Sequence, residues 1–224
     1  MKILILGASG LVGRGVLREC LLDSAVSAVK LIGRCAMDPS FHLPTTKLSE
    51  LVMPDMFDYT GVEGELTGYD ACFICLGIAA KDMANAVQYE RMTLALTMAA
   101  AKVVARLNPA ITITYVSGAG TDGTAQSKSL WMRVKGQTEQ ALLALPIKQA
   151  VMFRPLVVQA VHGEVAKNGL YRMAFLLATP VISLARRLLP QYIVTTEQMG
   201  RAMLSVAKHG SAKRVLESAD IAQF

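Results

Sequence analysis

The sequence predicts an α/β protein built on a doubly wound parallel sheet, with a small C-terminal helical lid. Two observations carry this expectation. Strand-like and helix-like stretches alternate through the first 155 residues, which implies parallel strands in one sheet with helices on both faces. A run of glycines follows the first apolar stretch directly, at the point where such a sheet turns from strand into helix.

The elements follow in order. "KILIL" reads as the first strand, "LVGRGVLRECLL" as the first helix and "SAVKLIGR" as the second strand. Residues 35 to 48 are polar and proline-bearing and read as loop, and a short apolar run at "ELVM" precedes "PDMFD". "ACFICLG" is the next strand. The longest helical stretch runs from about Ala86 to Leu107, with Met92, Ala95, Leu96 and Ala99 at helical spacing, until "NPA" stops it. "ITITYVSG" alternates with β-branched residues as a strand does, a helix carrying Trp131 follows, and "AVMFRP" is the next strand. After Pro155 the pattern loosens. A helical stretch at 170 to 188 precedes "TTEQMGRAMLSVAKHG", where Thr195 and Gln198 have capping-box spacing and Gly210 stands at the stop. "KRVLE" is a last short strand.

Composition narrows the function classes. Apolar residues make up 53% of the 224 and charged residues 18%, which excludes a disordered chain and suits a single domain. The mean hydropathy of +0.39 is high, yet the N-terminal apolar run ends after five residues, too short for a secretory signal. "MAFLLATPVISLA" (173–185) reaches roughly 20 Å as a helix, short of the ~30 Å hydrocarbon core, and contains Pro180. No transmembrane span is expected; peripheral membrane contact by this basic-flanked stretch stays open. The net charge of +6 is scattered, which suits a phosphate-bearing cofactor better than nucleic acid. His42, His162 and His209 are far apart, so no metal site is expected. Cysteine usage points to a reducing compartment, and a cytoplasmic location is expected. The pair Cys72 and Cys75 in "CFIC" invites a redox or zinc reading, but the pair lies in a strand, where positions three apart face opposite ways. Both read as structural.

"GASGLVG" supplies the first chemistry. Gly7, Gly10 and Gly13 lie between an apolar strand and an apolar-periodic helix. One glycine permits the tight turn, another lets the backbone approach a pyrophosphate, and the third allows close helix–strand packing, while the helix N-terminus favours negative charge. Ser9, Gly10, Leu11, Val12 and Gly13 are therefore the expected phosphate contacts, and the sheet is expected to be Rossmann-like. The second strand ends in Arg34, with no carboxylate before Asp38. Arginine suits a 2′-phosphate, so NADP(H) is expected over NAD(H), with Arg14 adding to the field. One domain is expected over residues 1–224, with a dinucleotide-binding core at 1–155 and a substrate or lid region at 156–224.

The spacing GxxGxxG, "PDMFD", "CFICLG", "YVSGAGTD", "WMRVKG" and "FRP", in that order, resembles the short-chain dehydrogenase/reductase (SDR) superfamily, and within it the small atypical, epimerase-like NAD(P)-binding members. The resemblance implies that Asp55 and Met56 border the adenine. It implies that Leu76 and Gly77 follow the strand beneath the cofactor, and that Arg154 and Pro155 close the nicotinamide side. Ser117 takes the catalytic serine position and Lys135 the catalytic lysine position. Where the superfamily places its proton-donating tyrosine, this chain has Trp131, whose indole N–H donates a hydrogen bond without exchanging a proton at physiological pH. Two readings stay open. One is an NADP(H)-dependent oxidoreductase or epimerase-like enzyme acting on a small, partly apolar carbonyl or hydroxyl substrate, with Tyr115, Ser117 or Asp122 as substitute proton sources. The other is a non-catalytic NAD(P)-binding sensor or scaffold resembling NmrA-type regulators. A homodimer is compatible with either.

Overall fold

The computed structural model describes residues 1–38, 46–78, 84–163, 189 and 191–224. Strand β1 (Lys2–Leu6) lies in the interior of the sheet, flanked by β2 (Ala28–Gly33) on one side and β4 (Ala71–Ile74) on the other. Outward from β2 lies β3 (Leu48–Val52). Outward from β4 lie β5 (Thr112–Val116), β6 (Gln149–Arg154) and β9 (Val215–Glu217). All six pairings in this seven-stranded sheet are parallel.

Burial on both faces explains why these strands read as unbroken apolar runs. In β1, Ile3 and Ile5 enter one core and Leu4 and Leu6 the other, all completely buried. The first core lies under α1 (Leu11–Leu22) and α5 (Thr196–His209); the second lies under α3 (Leu96–Leu107) and α4 (Leu130–Leu143). Helices thus cover both faces, as the alternating pattern predicts. The CxxC obeys the same alternation: Cys72 joins the second core and Cys75 packs against the first. Burial pushes the Cys75 thiol up to about 12, and the Cys72 thiol is raised further by burial and by Cys75. Neither is a poised thiolate.

The long helix is not uniform. α2 (Ala86–Glu90) passes through a π-helical turn at Arg91–Ala95 before α3 begins. Asn108 caps its end and also accepts the backbone N–H groups of Gly68 and Tyr69, which ties the helix to the start of β4. The predicted capping box is present: the Thr195 hydroxyl accepts from the Gln198 N–H at 3.0 Å and the Gln198 amide oxygen accepts from the Thr195 N–H at 2.9 Å. The region after Pro155 is interleaved with the core rather than appended to it. It supplies β9 to the main sheet and α5 to its first face. It also forms β7 (Val157–Gln159), β8 (Ile193–Thr195), which pair parallel, and the short α6 (Ser218–Ile221). Strands of three residues carry too little periodicity to be read from sequence. The helical stretch expected at 170–188, and with it the lid, lies outside the described residues. No helix among the described residues is long and apolar enough to cross a membrane.

α1 and α5 meet at backbone distance because both carry glycine at the crossing. A Cβ on Gly15 would stand 2.5 Å from the Thr196 Cβ and 2.8 Å from its carbonyl oxygen, and one on Gly200 would stand 2.6 Å from the Glu19 Cγ. Gly15→Ala is therefore expected to lower stability by about 1–3 kcal/mol through overpacking, outweighing the roughly 1 kcal/mol gain in helix propensity. A urea midpoint equal to or above that of the wild type rules this account out.

Candidate functional site

The strand order reverses direction at β1: β2 and β3 run to one side, and β4, β5, β6 and β9 to the other. The crevice beyond the carboxyl ends of β1 and β4 is where open α/β sheets bind ligands. The glycine turn fills it. Gly7 has φ +82°, and a Cβ there would stand 2.6 Å from the Cys75 carbonyl oxygen, so the turn lies hard against the end of β4. A Cβ on Gly13 would run into the Gly7 carbonyl oxygen and stand 2.8 Å from the Ala8 Cα. Gly10 differs. Its Cβ would meet only the Gly7 carbonyl oxygen, at 3.5 Å, so its outer side is open.

Gly10 is also the N-cap of α1 and its N–H donates to the Gly7 carbonyl at 3.1 Å. The next N–H groups, of Leu11, Val12 and Gly13, have no acceptor among the described residues. Three unsatisfied donors at a helix start, behind an open glycine, form a cradle shaped for a phosphate. A cleft of about 190 Å³ extends from this turn across the ends of β2 and β3, bounded by Ser9, Arg34, Cys35, Glu50, Met56 and Leu76 among others. A second cleft shares Gly7, Ser9, Arg34, Met56 and Leu76 and continues past Gly10 and Gly77 to Met92 and Leu96. The structure therefore brings Gly7, Ser9, Gly10, Arg34, Met56, Leu76 and Gly77 to one continuous groove. Asp55 is not in its wall; its carboxylate accepts the Phe57 N–H at 2.9 Å and shapes the loop that presents Met56. Glu50, missed in the sequence, accepts the Met37 N–H at 2.9 Å and fastens the loop that carries Arg34. Met92 enters the wall from the π-helical turn, where Arg91 stacks on the Phe57 ring at 4.9 Å.

The other predicted residues gather at the ends of β5 and β6, around a carboxylate that sequence reasoning did not name. Glu139 is buried on α4, four residues after Lys135, a spacing that would have placed it on the same face. Its Oε1 accepts the Ser117 hydroxyl at 2.5 Å and the Arg154 Nε at 3.0 Å, and its Oε2 pairs with the Arg154 Nη2. Arg154 reaches on to Glu217 at 3.3 Å, joining β6 to β9, and Glu139 raises its pKa. Ser117 also donates to the Phe153 carbonyl at 3.2 Å, and Pro155 is buried with its carbonyl accepting the Ala119 N–H. Ser117 and Arg154 are thus engaged with the protein itself.

Lys135 is half-buried. Its ammonium donates to the Ser117 carbonyl oxygen and sits 5.8 Å from the centroid of the Tyr115 ring. Burial lowers its pKa to about 8 against the opposing pull of Glu139. Trp131, one turn earlier, is also half-buried. Its Cη2 would stand 3.4 Å from a Cβ on Gly120, and its indole N–H has no acceptor among the described residues. Tyr115 is completely buried in the second core, and burial raises its phenol above the ordinary range.

Asp122 organises the loop before α4. It accepts the Thr124 hydroxyl at 2.7 Å and the N–H groups of Thr124, Gln126 and Ser127 at 2.9, 2.7 and 2.6 Å. These bonds, that to the Thr124 hydroxyl foremost, hold its carboxyl at about 2. A depressed carboxyl pKa contributes stability at neutral pH that is lost as pH falls through the folded value. Asp122→Ala is therefore expected to be less stable than the wild type at pH 7, with the difference shrinking between about 4 and 2. Urea midpoints across that range test this; a pH-independent difference contradicts it.

No family model matches the chain. Among curated proteins it is 28% identical over 156 residues to protein FMP52-1, mitochondrial, of Scheffersomyces stipitis, which covers 69% of this chain and 66% of that protein. It is 23% identical over 164 residues to protein fmp52, mitochondrial, of Emericella nidulans, covering 73% and 69%. For the first two relatives the match thus spans just under two thirds of their own length (66% and 63%). These names overturn the expected cytoplasmic location, because each relative is named as mitochondrial. Among solved structures, a UDP-glucose 4-epimerase superposes with a TM-score of 0.70 at 13% identity over 100% of this chain and 80% of that one. The Bordetella bronchiseptica enzyme WbmG in complex with NAD superposes at 0.69 and 14%, covering 97% and 72%. The seven-stranded parallel sheet, its glycine turn and these superpositions together show that the chain shares the overall fold of such enzymes.

Proposed function

We propose that this protein binds NADP(H) along the carboxyl edge of its sheet and acts as an oxidoreductase or epimerase-like enzyme on a small carbonyl or hydroxyl compound. The observation that carries the reading is the open side of Gly10 above three unsatisfied N–H groups, continuous with a cleft that ends at exposed Arg34. Leu11, Val12 and Gly13 hold the pyrophosphate through their N–H groups, Ser9 adds a hydroxyl, and Met56 and Leu76 enclose the adenosine half. Arg34 takes the 2′-phosphate, while Glu50 holds the Arg34 loop in place. The solved neighbours named with NAD or NAD+ support a nicotinamide dinucleotide; the choice of NADP(H) rests on Arg34. When bound, such a cofactor supplies or accepts a hydride at its nicotinamide ring. Lys135 and Trp131 then face the reacting end, with the lysine fixed by the Ser117 carbonyl. The core of 1–155 is proposed to carry the cofactor and 156–224 to complete the substrate side.

A specific observation favours the second reading, a cofactor-binding sensor: the Ser117 hydroxyl and Arg154 are both committed to Glu139. Turnover separates the two. NADPH and NADH are titrated while the fluorescence of Trp131, the single tryptophan, is followed. NADPH is expected to quench or accept energy from it and to bind more tightly than NADH. Arg34→Ala is expected to weaken NADPH by about 10- to 100-fold, the worth of a charge-assisted contact, and to leave NADH within about threefold. Equal losses for both cofactors defeat the NADP assignment, and no binding of either defeats both readings. Binding with no consumption of NADPH across a carbonyl panel selects the sensor.

A further inference from the structure

We propose that the Met56–Met92 end of the groove is a slot for a flat purine base that tolerates different purines. Its width is set by a clasp between Arg91 and Phe57, the chain neighbours of the two methionines. The proposal rests on the dinucleotide reading above and deepens it: the base is gripped by thioether and aliphatic contacts and is not read by polar side chains.

The two clefts join at Arg34 and Met56, which line both. Beyond Arg34 the first cleft is edged by Cys35 and Glu50, a thiol and a carboxylate. The second runs instead to Leu76, Ile78, Met92 and Leu96. A purine is attached directly to the ribose whose phosphate Arg34 takes, so the base lies beside Arg34, and a flat apolar face favours the second cleft. Thioether sulfur is polarisable and makes favourable contacts with aromatic rings. Among the described residues of this stretch, no side chain in the wall offers an N–H, an O–H or a carboxylate. Asp55, the nearby carboxylate, is outside the wall and accepts the Phe57 N–H at 2.9 Å. Adenine and hypoxanthine differ in one exocyclic group, an amine in the first and a carbonyl in the second. Side chains without a donor or an acceptor do not separate them.

The two methionines belong to separate elements, so something has to hold those elements at one distance. Met56 sits in the loop after β3, which is anchored in the second core by Met53, Met56 and Tyr59. The same loop is stiffened where Asp55 accepts the Phe57 N–H and Asp58 accepts the Thr60 N–H at 2.8 Å. Met92 belongs to the π-helical turn, which buries Thr93 and leaves Arg91 exposed. Turns of this kind occur often at functional sites. The Arg91 guanidinium stands 4.9 Å from the centroid of the half-buried Phe57 ring, and this contact joins the turn to the loop. A cation over a ring face is attracted by the ring's quadrupole, which favours one separation. Arg91 and Phe57 are not themselves in the wall of either cleft. They are positioning residues that act through Met92 and Met56.

Calorimetric Kd values for NADPH, NADH and the hypoxanthine analogue of NADPH, measured on the full chain, test both parts. The wild type is expected to hold NADPH and its analogue within about threefold of each other, because hydrophobic and dispersion contacts dominate. A larger loss for the analogue overturns the proposal. Arg91→Met and Phe57→Leu keep length and apolar volume while removing the charge and the ring face. Each is expected to weaken NADPH and NADH alike by about 3- to 10-fold, the worth of a cation–π contact. If the two residues act as a pair, the double variant loses no more than about twofold beyond the larger single loss. Phe57→Tyr, which restores the ring face, is expected to bind within about twofold of the wild type. Losses that multiply in the double variant, or a Phe57→Tyr protein as weak as Phe57→Leu, overturn the clasp. So does an Arg91→Met protein that binds as the wild type does. Wild-type protein that binds neither NADPH nor NADH sinks the underlying dinucleotide reading instead.

Discussion

A carboxylate taken out of water costs several kcal/mol unless charge and hydrogen bonds replace its hydration. Glu139 is such a group, with a side chain only 2% exposed, and the far half of the site is arranged around satisfying it. Arg154 approaches with two nitrogens and Ser117 with its hydroxyl, so one residue on α4 fixes the ends of β5 and β6 relative to the helix. Through Arg154 the connection extends to Glu217 and β9. Removing either partner would leave the other's charge buried, which costs far more than an exposed ion pair is worth. The network therefore ties α4, which also carries Lys135, to the ends of β5 and β6.

This arrangement separates two kinds of work along one sheet edge. At the β1–α1 turn the backbone shapes the groove: Gly7 and Gly13 let chain segments touch, and Gly10 leaves an open approach to unsatisfied N–H groups. At the β5–α4 end, side chains dominate, and most of them bind each other. Trp131 is compatible with that division. It carries no ionisable proton, and its N–H lies one turn from a lysine whose pKa burial lowers.

Much of the fold was legible because local rules and global packing agree. "KILIL" alternates between two cores and so had to be apolar throughout, the Thr195–Gln198 capping box marks α5, and Asn108 ends α3 where "NPA" suggests. The nearer half of the site was legible for a similar reason. A phosphate cradle is made from consecutive residues, so its glycines and helix start appear as a spacing. Met56, Leu76 and Gly77 also reach the groove, but their placement came from resemblance, and Asp55 turned out to shape the loop rather than line the wall.

What the sequence determined by itself is the order of strands and helices, the glycine turn, the opposed faces of the CxxC and the presence of Arg34 at the end of β2. Each depends on neighbours in the chain or on a two- or four-residue period. What only the tertiary structure decided is which side chains remain available. Glu50 fastening the Arg34 loop, the π-helical turn that delivers Met92, and Glu139 claiming Ser117 and Arg154 join residues 13 to 22 positions apart or depend on how a helix packs. Hydrogen bonds and ion pairs are exclusive, since a proton shared inside the protein is not offered to a ligand. No local pattern records which long-range partner takes it; the fold alone decides that Glu139 takes the Ser117 hydroxyl.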